Sequence, residues 1–208
     1  MEKLAFIGAG SHSDAVLPVV DLTKYEFVGY FDDKDWTERN GYPILGKIAE
    51  AAAFLETGEI DAIFITIGDN RKRQEVFHTL KSKYYDKFIN IISKSAHLFT
   101  EDSVAGKGIF IGYSAFIGSK VKIHDNTIVN TGAVVEHHTT VASHCNISPN
   151  ATINGFSIIE TGSYIGSGSV VIQLMKVASW SIIGAGAVVV KPIEQSGTYV
   201  GTPARKVK

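Results

Sequence analysis

From residue 111 onward the chain is governed by a step of six. Ile or Val stands at Ile111, Ile117, Ile123, Val129, Val135, Val141, Ile147, Ile153, Ile159, Ile165, Val171, Val177, Ile183 and Val189, fourteen consecutive positions without a break. These two residue types make up only 43 of 208 residues, so composition does not produce the run. A second column follows four residues after each of the first thirteen, from Ala115, Val121 and Thr127 through Cys145 to Ala187, and eleven of its thirteen members are small. Six is three strand periods of two, so every sixth side chain faces the same way. A helix would show a period near ~3.6 and would not favour β-branched residues so strongly. Short strands joined at Gly-tolerant corners therefore wind a coil, three rungs to a turn of a triangular prism. Both columns stack inside it, coil on coil, ~4.8 Å apart. Cys145 lies in the small inward column and is expected to pack rather than to react.

The first 95 or so residues follow a different pattern. Apolar runs at Leu4–Ile7, Glu26–Phe31, Ile60–Ile67 and Phe88–Ile92 predict strands. Segments Ala15–Leu22, Lys47–Glu56 and Arg71–Lys83 predict helices between them. Alternating strands and helices predict a small parallel α/β sheet, Rossmann-like, with its ligand edge at the carboxyl ends of the strands. The expected division is 1–94 for the α/β domain, 95–190 for the all-β prism and 191–208 for a C-terminal tail.

Composition narrows the function. Lys plus Arg is 20 and Asp plus Glu is 21, for a net charge of −1, which argues against nucleic-acid binding by bulk charge. A single cysteine excludes a disulfide framework and a Cys-rich zinc site. No apolar run reaches the ~18 residues of a membrane span, and Met1-Glu2-Lys3 leads straight into an apolar strand without a signal pattern. A cytoplasmic protein is the expectation.

Three loops should meet at the sheet's ligand edge. Gly8-Ala9-Gly10 after a strand and before a helix begins a phosphate cradle, where backbone N–H groups are free to donate. Ser13 stands where a dinucleotide fingerprint has its third Gly, and the region is too short for a two-lobed dinucleotide fold. A mononucleotide or nucleotide-linked sugar is therefore expected in preference to NAD. Gly10, Ser11, His12, Asp32, Asp33 and Gly68 are the candidate contacts. The carboxylates are suited to accept from a ribose or base, and Arg71 is a further candidate beside Gly68. In the prism, Glu136-His137-His138 and, one rung on, His144 form the one chemically loud stretch. Both His137 and His138 fall where a rung leaves the core. No carboxylate sits at ligand spacing, so general-base work is expected rather than metal binding.

The hexapeptide columns resemble the left-handed β-helix acyltransferases, and that resemblance supplies the handedness. The α/β domain followed by the prism adds to it. So do Asn130-Thr131-Gly132-Ala133-Val134-Val135-Glu136-His137, Ile147-Ser148-Pro149-Asn150-Ala151 and the closing Tyr199-Val200-Gly201-Thr202-Pro203-Ala204-Arg205. Together they resemble the subgroup that acetylates nucleotide-linked amino sugars and includes sialic acid O-acetyltransferases (PglD/NeuD-like). The resemblance implies a homotrimer with active sites where prisms meet, and acetyl-CoA as co-substrate. It implies transfer of the acetyl group to the 4-amino group of a nucleotide-linked 4-amino-4,6-dideoxy sugar, for surface glycan synthesis. By residue match, His137 is the general base and the Gly155 N–H an oxyanion donor. Asn146, Gly155, Ser167 and Ala185 match cofactor contacts. Departures are visible. His138, a further candidate catalytic residue, replaces the acidic residue that commonly follows the base; its neutral imidazole can orient His137 through a hydrogen bond but cannot supply the same charge, and Asn146 stands where many relatives have a His. The alternatives are O-acetylation of a sialic-acid-like sugar and a non-catalytic trimer that only binds nucleotide-sugar.

Overall fold

The computed structural model describes residues 1–208 as two compact units, Met1–Ile91 and Ile92–Lys208. In the first unit, strands β1 (Glu2–Ile7), β2 (Tyr25–Phe31), β3 (Glu38–Arg39), β4 (Tyr42–Gly46) and β5 (Ala62–Ile65) form one sheet in the order β3-β4-β2-β1-β5. All neighbours are parallel except β3 and β4. That hairpin was not predicted, although its Asn40-Gly41 turn has both residues at positive φ, 52° and 76°. Asn-Gly is the strongest short-range signal for such a turn. Helices α1 (Ser11–Val16), α2 (Ala51–Thr57) and α3 (Asn70–Tyr84) complete the unit.

The expected helices are present with shifted bounds. The first starts at Ser11 rather than Ala15 and gives way to a 3₁₀ turn at Leu17–Val19, which contains Pro18. A proline this far along removes a donor and stops the α-helical ladder. The strand expected at Ile60–Ile67 is shorter, because residues 66–68 leave the sheet to form a loop. Aromatic rings fill one layer of the core: Phe6 lies 4.6 Å from Phe27 and 6.0 Å from Phe64, centroid to centroid.

The second unit is the six-residue prism. Two-residue strands lie on three faces, and each pairs in parallel with the strand 18 residues on: Lys122 with Thr140, Ile128 with Asn146, Val134 with Thr152. All fourteen Ile/Val positions are buried, at 1% exposure or less. Corners carry a residue in the left-handed region, including Lys120, His138, Phe156 and Leu174 at φ 57–62°. Short inward hydroxyls do more than fit. Thr127, Thr139, Ser157 and Ser163 each donate to a carbonyl 15 residues on, at 3.0–3.2 Å, and the Cys145 thiol does the same to Glu160. A buried polar column is thereby satisfied. Ser181 Oγ, in the same column, is buried without a partner. The expected tail 191–208 extends the prism instead. Thr198–Val200 adds in parallel to the strand at Ile182–Ile183, and Arg205–Lys206 pairs back on it.

Candidate functional site

In the α/β unit, β2, β1 and β5 are neighbours, so the loops after them converge. A cleft of about 230 Å³ opens there, and Gly10, Ser11, His12, Asp32, Asp33 and Gly68 all line it. Gly8 has φ +105°, and a Cβ on it would lie 2.8 Å from the Ile67 side chain, so only glycine lets the two loops close. Gly10 and Gly68 face open space. The Asp32 carboxylate holds the loops in place, accepting from Ala9 N at 2.7 Å and from Lys34 N at 2.9 Å. Asp33 accepts from Ile48 N at 3.1 Å. Each oxygen so used keeps further acceptor capacity toward the cleft.

Burial sets the charges around the cleft. Burial, with the Arg73 charge second, lowers the His12 imidazole to about 4, so His12 is neutral near pH 7 and cannot serve as a cation. Arg71 does not line the cleft; Lys72 does, with Lys34 from the loop after β2. The buried arginine is Arg73, whose guanidinium donates to the carbonyls of Ile67 and Gly68 at 3.1 Å and to Asn70 at 2.9 Å. It shapes the Gly68 loop from behind.

On the prism, His137 and Gly155 stand 18 residues apart on one corner. The His137 ring lies across Gly155: an added Cβ there would meet its Cε1 at 2.6 Å and its Nε2 at 2.9 Å. The Gly155 N–H donates to no group of the chain, while its carbonyl accepts from Leu174. His138 turns back so that its Nδ1 is 3.1 Å from Nδ1 of His137, and its ring stacks on Phe156 at 4.4 Å. Burial, then the charges of Lys120 and His137, holds the His138 imidazole below its ordinary value. His144 does not project as His137 and His138 do. It is buried at another corner, with Nδ1 2.8 Å from Asn126. Ser167 and Ala185 share a third corner, one coil apart and exposed, and Asn146 sits on a face. The four expected cofactor contacts thus divide among two corners and a face of this chain. The Asn146 Oδ1 is buried without a partner.

A parallel β-helix carrying an imidazole beside a free backbone N–H, preceded by a small α/β unit with a glycine-lined cleft, defines a hexapeptide-repeat acyltransferase. The comparisons agree. Residues 3–80 match the PglD N-terminal domain, and residues 120–155 match the bacterial transferase hexapeptide repeats. The acetyltransferase domain of PglB from Neisseria gonorrhoeae is 30% identical over 100% of both chains, with a TM-score of 0.90. Its complex with acetyl coenzyme A aligns over 99% of both chains at 29% identity, with a TM-score of 0.91. PerB from Caulobacter crescentus, in complex with CoA and GDP-perosamine, is 26% identical over 100% of this chain and 98% of that one, TM-score 0.90. An uncharacterized protein of Acanthamoeba polyphaga mimivirus is 32% identical over 107 residues, and the match spans only 20% of that protein's length. The chain belongs to the PglD-like, left-handed β-helix acetyltransferase family.

Proposed function

We propose that this protein is an acetyl-CoA-dependent N-acetyltransferase acting on the 4-amino group of a nucleotide-linked 4-amino-4,6-dideoxy sugar. The observation that carries this reading is the His137 imidazole seated on the bare backbone of Gly155, whose N–H has no acceptor within the chain. The bound ligands of the PglB domain and PerB support the choice of co-substrate and acceptor class.

Acetyl-CoA supplies an activated thioester. His137 Nε2 takes a proton from the sugar's amine as the nitrogen attacks the thioester carbon. A C–N bond forms and the C–S bond breaks. His137 then returns the proton to the departing thiolate. The Gly155 N–H donates to the carbonyl oxygen as negative charge builds on it; such a preorganised donor costs no reorganisation. Ser167, Ala185 and Asn146 contact the co-substrate. In the α/β cleft, the backbone at Gly10 and Ser11 holds the phosphates, with Lys34 and Lys72 supplying positive charge. Asp32 and Asp33 accept from the nucleoside, and neutral His12 contributes a hydrogen bond. The protein works as a homotrimer, in the cytoplasm where acetyl-CoA is made.

The test is an acceptor panel. The protein is incubated with acetyl-CoA and UDP-, dTDP- and GDP-linked amino sugars, and thiol release and product mass are followed. One acceptor should yield thiol and N-acetylated product in equal amounts. Release with none of them, in a preparation that sediments as a trimer, would overturn the reading. Acetylation only of a hydroxyl on a sialic-acid-like sugar would replace it with the O-transfer alternative.

A further inference from the structure

The His137–His138 contact makes a demand that one ordinary base does not. The two Nδ1 atoms face each other at 3.1 Å, so one must carry a proton and the other must not. Three contacts keep the rings in this pose. His137 lies on Gly155, and its edge meets Phe156 at 5.3 Å and 84°. His138 is stacked on the same Phe156 ring at 15°. The corner backbone is fixed as well: His138 N donates to Ser119 O and Phe156 N to His137 O.

We propose that His138 is a positioning residue that accepts from Nδ1–H of His137, fixing the tautomer in which His137 Nε2 is the bare basic nitrogen. The opposite arrangement, with His138 donating, would place the His137 proton on Nε2 and leave no base facing outward. Only the first arrangement survives the reaction: once His137 carries both protons, its Nδ1–H needs a bare acceptor on His138. Lys120 lies one coil before His138 in the same left-handed corner column, and with the stacked Phe156 it disfavours a second proton on His138. The Glu136 carboxylate accepts from His137 N at 3.3 Å and fixes the backbone that carries the base. The proton taken at Nε2 is therefore held on His137 until it passes to the departing thiolate, and His138 goes on accepting meanwhile. A neutral imidazole thus supplies orientation where relatives commonly place an acidic residue, without the countercharge.

This inference rests on His137 being the base, but its main test needs no substrate. Imidazole ¹⁵N spectra of the full chain, assigned with His137→Gln and His138→Gln, report which nitrogen carries the proton. At pH above the titration of both rings, His137 should be the Nδ1–H tautomer and His138 the Nε2–H tautomer. In His138→Phe, His137 should revert to the Nε2–H form that free histidine favours. An Nε2–H His137 in the wild type overturns the proposal. The kinetic test runs on the acceptor found by the panel. His138→Phe should lower kcat about tenfold to a hundredfold with little change in either KM. His138→Glu should restore turnover and move the acid limb of the pH profile upward by about one unit. Equal kcat and an equal acid limb in wild type and His138→Phe would contradict it. Correct tautomers without any acetyl transfer would sink the proposed function and leave this assignment standing.

Discussion

Replacing Gly155 by Ala separates catalysis from stability more cleanly than deleting any side chain. An ideal Cβ at position 155 lies 2.6 Å from His137 Cε1, 2.9 Å from Nε2 and 3.0 Å from Nδ1. Carbon atoms rest about 3.5–4.0 Å apart, so the ring must retreat by roughly 1 Å. The ring is the far end of an exposed side chain, so its retreat costs the fold little. Gly155 is outside the positive-φ region, and Ala there narrows the unfolded ensemble, worth about 0.4–1 kcal/mol in favour of folding. Catalysis is far less tolerant. A misplacement of about 1 Å is enough to cost roughly a hundredfold in rate, or about 2.7 kcal/mol in the barrier. The Gly155→Ala variant keeps the backbone N–H, so the loss reports the imidazole and not the oxyanion donor. The assay is kcat for thiol release at saturating substrates, set beside the thermal midpoint. We expect kcat to fall about a hundredfold while the midpoint is unchanged or slightly raised. A kcat within about twofold of wild type would refute the claim that the ring must lie where Gly155 leaves room. A rate loss that only tracks a lower midpoint would refute it equally.

Two further outcomes follow from the α/β cleft. Asp32→Asn should raise KM for the nucleotide-sugar severalfold more than KM for acetyl-CoA, because Asp32 orders the cleft by accepting from Ala9 N and Lys34 N; equal effects in steady-state kinetics would place nucleotide recognition elsewhere. His12 makes stability depend on pH with a definite sign. Its folded value of about 4 lies below the ordinary 6.5, so the unfolded chain binds the extra proton between the two. The stabilisation is complete above about pH 6.5 and is lost as pH falls toward 4, up to about 3 kcal/mol. Urea unfolding at pH 7.5 and 4.5 should show this loss in wild type and a smaller one in His12→Gln; the same loss in both would contradict it.

How much was legible in the sequence differs by feature. The step of six is a packing constraint repeated at every rung, so Ile111 through Val189 announce the prism directly. The pairing of His137 with Gly155, and of Ser167 with Ala185, is likewise readable, since residues 18 apart share a corner. The placement of Asn146 on a face follows from the same counting. Burial of His144 was not readable. A corner imidazole and a buried one occupy the same rung position, and the Asn126 contact that holds it crosses between coils. Placing Arg71 beside the cleft overlooked helical phase. Arg73, Phe77 and Leu80 follow i, i+4, i+7 and form the buried face of α3, which turns Lys72 rather than Arg71 to the cleft. The β3–β4 hairpin was carried by Asn40-Gly41 between strands too short to show alternation. The His138 tautomer lay beyond the sequence altogether, because it depends on a ring–ring distance.

The account stands or falls on one comparison: the turnover number of wild type and of His137→Ala, measured as thiol release with acetyl-CoA and the best acceptor, in preparations shown to have the same assembly state and thermal midpoint. A base at this position predicts a fall of about 10²–10⁴-fold in kcat in the variant. Undiminished turnover without the His137 imidazole would contradict it.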